Sequence, residues 1–151
     1  MVRKYFQNRN ALAWVLLVGA GTLHVADEAA HNFLAFYNPL VRNLRESLGF
    51  WPMPTFPFWL WIGGLILMLT ISLLLTPVVG RGGRIIRRVV IAMGVIMTVN
   101  ALGHMLGSVY FGQLLPGFYS SPLLLLTSVW MVKRGLGKYG WESGSNTSNG
   151  V

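Results

Sequence analysis

Long runs of apolar residues, separated by short segments rich in Pro, Gly and Arg, dominate this chain of 151 residues. Four such runs cover roughly residues 11–36, 56–75, 85–111 and 118–132. A helix needs about 20 apolar residues to cross a bilayer, so the first three runs are long enough and the fourth is short. The pattern predicts an all-α integral membrane four-helix bundle over residues 1–140, followed by a disordered polar tail over residues 141–151.

Two segments near the first run have other possible roles. Residues 38–57 combine a short amphipathic piece with Trp and Pro, which is typical of a segment lying on the membrane surface. The N-terminus resembles a signal peptide, with basic residues ahead of an apolar stretch. Because the apolar run continues to Phe36, a retained membrane span is the favoured interpretation.

Composition supports the membrane class and narrows the partners. Only 11% of the residues are charged, against about 25% in soluble domains. The net charge of +8 could indicate nucleic acid, but the basic residues lie between apolar runs and form no nucleic-acid-binding motif. We therefore expect membrane lipids as partners and no nucleic acid. The chain has no cysteine, which excludes disulfides and thiolate metal sites.

The distribution of Lys and Arg predicts the orientation. With four spans, ten of these residues lie at the termini or between the second and third runs, and two lie on the opposite side. The positive-inside rule then assigns both termini to the cytoplasm. We expect a multi-pass protein of a prokaryotic plasma membrane.

Ionisable residues inside the apolar runs are the candidates for function. They include every histidine and half of the acidic residues, namely His24, Asp27, Glu28, His31 and His104. Such a residue costs roughly 2.5–3.5 kcal/mol at the membrane centre, so it indicates a functional site by default. On a helix, the four in the first run fall within an arc of roughly 100°.

The third and fourth runs carry polar residues at a matching level. Asn100 and His104 are four residues apart and share one helix face. Ser120 and Ser121 lie where the fourth run begins on the outer side. Since both polar sets lie about two-thirds of the way along an outward-running span, the sequence predicts one common site in the outer half of the bundle.

These residue types are compatible with several kinds of chemistry. His24 and Glu28 can bind one metal ion and His104 can complete three ligands, leaving an open position for substrate. A carboxyl beside a histidine can instead transfer protons, and two histidines can ligate haem in an electron-transfer bundle. A di-iron site needs more carboxylates than the runs supply. A purely structural role, worth about 0.6–2 kcal/mol per bond, is less favoured because five ionisable groups are costly to insert.

The same residues form three short motifs: His24-Val-Ala-Asp27-Glu28, Asn100-Ala-Leu-Gly-His104 and Pro116-Gly117-Phe-Tyr-Ser120. They resemble, in the same order, the HXXEE, NXXXH and PGXXT motifs of the HXXEE domain family of small membrane proteins. Asp27 replaces the first Glu and leaves carboxylate chemistry with a shorter reach, and Ser120 replaces Thr but keeps the hydroxyl. The resemblance implies an enzymatic role and supports the site more than any one reaction.

The sequence therefore predicts a membrane-embedded enzyme, hydrolase- or isomerase-like, that acts on a lipidic or apolar small molecule. Its expected cofactor is a zinc or iron ion held by His24, Glu28 and His104. The expected catalytic residues are His24, Asp27, Glu28, Asn100, His104 and Ser120. The alternatives are a metal- or proton-linked carrier and a haem-binding electron-transfer bundle that use the same residues.

Overall fold

The computed structural model describes residues 8–137 and residue 141, and this part of the chain is α-helical without strands. The helices in chain order are α1 (Arg9–Ala30), α2 (Phe33–Leu48), α3 (Phe58–Leu74), α4 (Thr76–Arg81), α5 (Arg84–Phe111) and α6 (Ser121–Leu136). The all-α prediction is confirmed. The tail that the sequence predicts to be disordered lies, apart from Trp141, outside the described residues.

Three helical segments are long and apolar enough to cross a membrane: Arg9–Ala30, Phe58–Arg81 and Arg84–Phe111. The second of them combines α3 and α4, and only 11% of its most apolar window is buried inside the protein. An apolar surface this continuous is unusual on a soluble monomer and is consistent with contact with lipid. The helix α6, with 16 residues, is shorter than these three.

The first apolar run does not form a single helix. The sequence predicts a span over 11–36, but α1 ends at Ala30 and Asn32 adopts a left-handed conformation with φ 55°. Asn tolerates this conformation better than most residues, and its polar side chain hardly changes the average hydropathy of the run. The amphipathic segment expected within 38–57 therefore begins already at Phe33, as α2.

The fourth helix begins later than its apolar run. The expected span was 118–132, whereas α6 covers Ser121–Leu136. The difference arises because residues 116–120 form a turn in which Gly117 has φ +88°. Pro122 then lies in the first turn of α6, where a missing N–H costs nothing.

The helix α6 packs against both α1 and α5 and so fixes these two helices relative to each other. A Cβ at Gly94 of α5 would lie 3.2 Å from the main-chain oxygen of Ser128 in α6, so glycine permits a close approach here. The buried core contains Trp14, Leu17, Ala20, Val90, Ala101, Leu124 and Met131. This packing determines where the polar groups of α1 and α5 meet.

Candidate functional site

Three ionisable side chains meet in the interior, two from α1 and one from α5. His24, Glu28 and His104 are 3%, 6% and 7% exposed. Glu28 Oε1 lies 3.1 Å from His104 Nε2 and 3.7 Å from His24 Nε2, and the two imidazole rings are 4.8 Å apart in an edge-to-face arrangement. The structure thus brings together three side chains that the sequence predicts to share one site.

A chain of hydrogen bonds fixes the orientation of His24. Asn100 Nδ2 donates to His24 Nε2 at 2.9 Å, so the ring proton lies on Nδ1, which donates to Ser120 Oγ at 2.9 Å. The Ser120 hydroxyl in turn donates to Asp27 Oδ2 at 2.7 Å, and the Ser120 main-chain N–H donates to the same oxygen at 2.9 Å. In this tautomer the Nε2 lone pair of His24 accepts from Asn100, and Glu28 Oε1 lies 3.7 Å from the same nitrogen.

Asp27 and His31 lie at the outer edge of the site. His31 Nδ1 is 2.8 Å from Asp27 Oδ1 and 2.9 Å from the main-chain oxygen of Asp27. The His31 side chain is 50% exposed, and its ring lies 5.5 Å from that of Tyr119. His31 is therefore outside the buried cluster, while Asp27 contacts it only through Ser120.

The turn before α6 packs directly on both histidines. A Cβ at Gly117 would lie 2.9 Å from His24 Cε1 and 3.0 Å from His104 Cε1. Together with its φ of +88°, this contact restricts the position to glycine. The turn is anchored to α5 through Ser108, whose hydroxyl donates to the His104 carbonyl at 2.7 Å and accepts from the Leu115 N–H at 2.9 Å.

An apolar cavity of about 290 Å³ ends on His24 and Glu28 of this cluster. It lies between α1, α3 and α5, and its polar lining consists mainly of His24, Glu28 and Asn100 at one end. Most of the remaining lining residues are aromatic or aliphatic, among them Trp14, Leu17, Leu65, Met68, Leu69 and Met97.

Some contributors to the site lay beyond the reach of sequence reasoning. Gly117 belongs to a recognised motif, but its contact with both histidines depends on how α1, α5 and α6 pack. Ser108 is buried four residues after His104, and that spacing was the only sequence signal for it. Phe33 was expected at the end of a long first span, yet from α2 its ring lies 5.8 Å from that of His104.

The ligand atoms of the cluster fit a single transition-metal ion. Atoms bound to zinc at about 2.1 Å in a tetrahedral arrangement lie roughly 3.4 Å apart. The distances of 3.1 and 3.7 Å from Glu28 Oε1 bracket that value, and all three ligand atoms lie within 4.8 Å of one another. The bond from His24 Nδ1 to Ser120 is the kind of outer contact that orients a metal-binding histidine.

The same geometry also suits proton transfer, since a buried carboxylate contacts one imidazole and faces a second. It does not suit haem ligation by His24 and His104. Both rings approach one Glu28 oxygen and each other, so a porphyrin cannot lie between them.

Comparison with protein-family models, with curated proteins and with solved structures finds no match to this chain. The geometry of the site itself therefore carries the functional assignment.

Proposed function

We propose that this chain is a membrane-embedded, metal-dependent enzyme, hydrolase- or isomerase-like, that acts on a lipidic or apolar substrate. The observation that carries the proposal is the apolar cavity that ends on His24 and Glu28, two members of the buried group that His104 completes. Binding sites for small molecules are typically apolar cavities with a few convergent polar groups. Three buried ionisable groups also cost too much in a membrane to serve only as contacts between helices.

In this proposal, each residue of the chain has a defined task. His24 and His104 would bind zinc or iron through Nε2, and Glu28 through Oε1, which leaves a position open toward the cavity. The bound ion would polarise a substrate oxygen or activate a water molecule. Ser120 and Asp27 hold the His24 ring in position. An ion bound to His24 Nε2 would displace the Asn100 amide, which donates to that nitrogen in this structure, and Asn100 could then bond a polar group of the substrate.

Metal analysis of the detergent-purified protein tests the proposal. After growth with added zinc or iron, we expect about one ion per chain. The variant His104→Gln should hold at least about tenfold less, because it removes one of three ligands. His31→Gln is the matched control, since that histidine is exposed and outside the cluster, and it should retain the ion. If the wild-type protein holds no more metal than His104→Gln, the proposed metal site is wrong.

Four spans formed by α1, the segment Phe58–Arg81, α5 and α6 are part of the same proposal. The ten-to-two distribution of Lys and Arg supports cytoplasmic termini and a site in the outer half of the membrane. A second observation agrees: Arg134, in the last turn of α6, donates to Asn10 at the start of α1, so these two ends share one side.

Membership of the HXXEE domain family is also proposed, and it is supported by the convergence of the three motifs on one site.

Reporter fusions test this topology. Fusions after Gly49 and after Leu115 should report the outside of the cell, and a fusion after Gly82 should report the cytoplasm. The physical reason is the cost of moving the arginine-rich segment around Arg84 across the membrane. A cytoplasmic report at Gly49 would reverse the orientation and move the site to the inner half.

A further inference from the structure

The size of the cavity limits the substrate to one apolar chain. Its volume of about 290 Å³ is at the lower end of the range of roughly 300–1,000 Å³ for small-molecule sites. The polar groups His24, Glu28 and Asn100 lie at one end, and the walls toward Trp14 are apolar except for Ser72. This shape fits a molecule with a single apolar chain and one polar group at its end.

The charges around the cavity indicate that this polar group is uncharged. Among the residues that the structure describes, no Lys or Arg lines the cavity, and phosphate and carboxylate groups are usually bound by those side chains. Glu28, which would bind a divalent ion at the site, would offset one of its two positive charges. Asp27 lies nearby, bonded to Ser120 and paired with His31.

The two ends of the cavity are covered, whereas one side is open. At the outer end, Phe33 stacks on Trp61, and Tyr37 stacks on both Phe33 and Phe56. At the opposite end, the Trp14 indole N–H donates to the Ser72 carbonyl at 2.6 Å. Between α3 and α5 the lining includes Ile96, which is 58% exposed on the apolar surface.

From these three observations we infer that the substrate is an uncharged, single-chain amphiphile that enters sideways from the membrane between α3 and α5. Its chain occupies the apolar walls, and its hydroxyl, carbonyl or ester group reaches His24, Glu28 and Asn100. This inference builds on the proposed function because it uses the same site. Binding of the substrate can be tested without turnover and without metal, so the inference and the proposed function can fail separately.

Photolabelling in lipid nanodiscs tests the inference, with a long-chain alcohol that carries a diazirine as the probe. We expect unlabelled long-chain alcohol to compete with the probe. An alkyl phosphate of the same chain length and a two-chain phosphatidylcholine should not compete. Leu65→Trp, which fills the cavity, should reduce labelling about tenfold or more. Ile66→Trp is the matched control on the outward face of α3 and should label like the wild type.

A second pair on α5 keeps the test decisive if Leu65→Trp fails to fold. Met97 lines the cavity, and Val99 is 65% exposed outside it, so Met97→Trp should lose labelling and Val99→Trp should not. Equal labelling within both pairs would mean that the probe contacts only the lipid-facing surface, and it would overturn the inference. Competition by the alkyl phosphate would contradict an uncharged polar group, and competition by the two-chain lipid would contradict a single-chain substrate. If metal analysis finds no bound ion and the cavity is still labelled, the proposed metal chemistry is rejected and the binding site stands.

Discussion

Replacing Gly117 with alanine should lower both the stability of the protein and its affinity for metal. The φ of +88° disfavours any residue with a Cβ, and that Cβ would lie about 3 Å from both buried imidazole rings. Left-handed backbone costs roughly 1–2 kcal/mol and overpacking typically about 1–3 kcal/mol, so we expect a loss of roughly 2–4 kcal/mol in the free energy of unfolding. Displaced rings should lower metal affinity by about 10- to 100-fold, as outer-contact changes do.

Gly112→Ala separates the two causes. Gly112 also has a left-handed conformation, with φ +64°, but a Cβ there would have no neighbour within 4 Å. This variant should show the backbone cost alone and keep its metal. The measurements are unfolding curves in detergent and metal titrations of both variants. Equal loss of metal in the two variants would contradict the direct contact between the Gly117 turn and the histidines.

Much of the candidate site could be predicted because its signals are local. Ionisable residues are rare in apolar runs, and a spacing of four residues puts His24 and Glu28 on one helix face. The bounds of α5 were also accessible, since Gly83 precedes a continuous apolar run and Gly112 follows it. Matching depth along two spans then indicated that His104 would meet the α1 residues.

The parts that could not be predicted depend on single residues or on distant packing. The left-handed conformation of Asn32 separates α1 from α2. The sequence gives little sign of this break, because one polar residue barely changes the hydropathy of a long run. The apolar cavity arises where α3 packs against α1 and away from α5, which no local pattern encodes. The aromatic cover formed by Phe33 and Trp61 likewise requires the turn before α2.

The central claim is that the buried cluster performs chemistry and does not merely join helices. Glu28→Gln keeps the volume and hydrogen bonding of the side chain but removes its ability to ionise. Removing a buried charge while keeping a polar group that can still form hydrogen bonds should leave the fold intact. Activity should fall about 100-fold or more, which is the scale of a lost acid–base group or metal ligand. His104→Gln should behave in the same way.

The most direct measurement is complementation of a strain that lacks this chain, scored by its membrane lipid profile, beside melting curves of the purified variants. We predict that Glu28→Gln and His104→Gln fail to restore the profile while their melting temperatures stay close to that of the wild type. Glu46→Gln, at an exposed position on α2, is the matched control and should restore it. Full restoration of the lipid profile by both Glu28→Gln and His104→Gln would contradict the proposed enzymatic role and leave a structural role for the cluster.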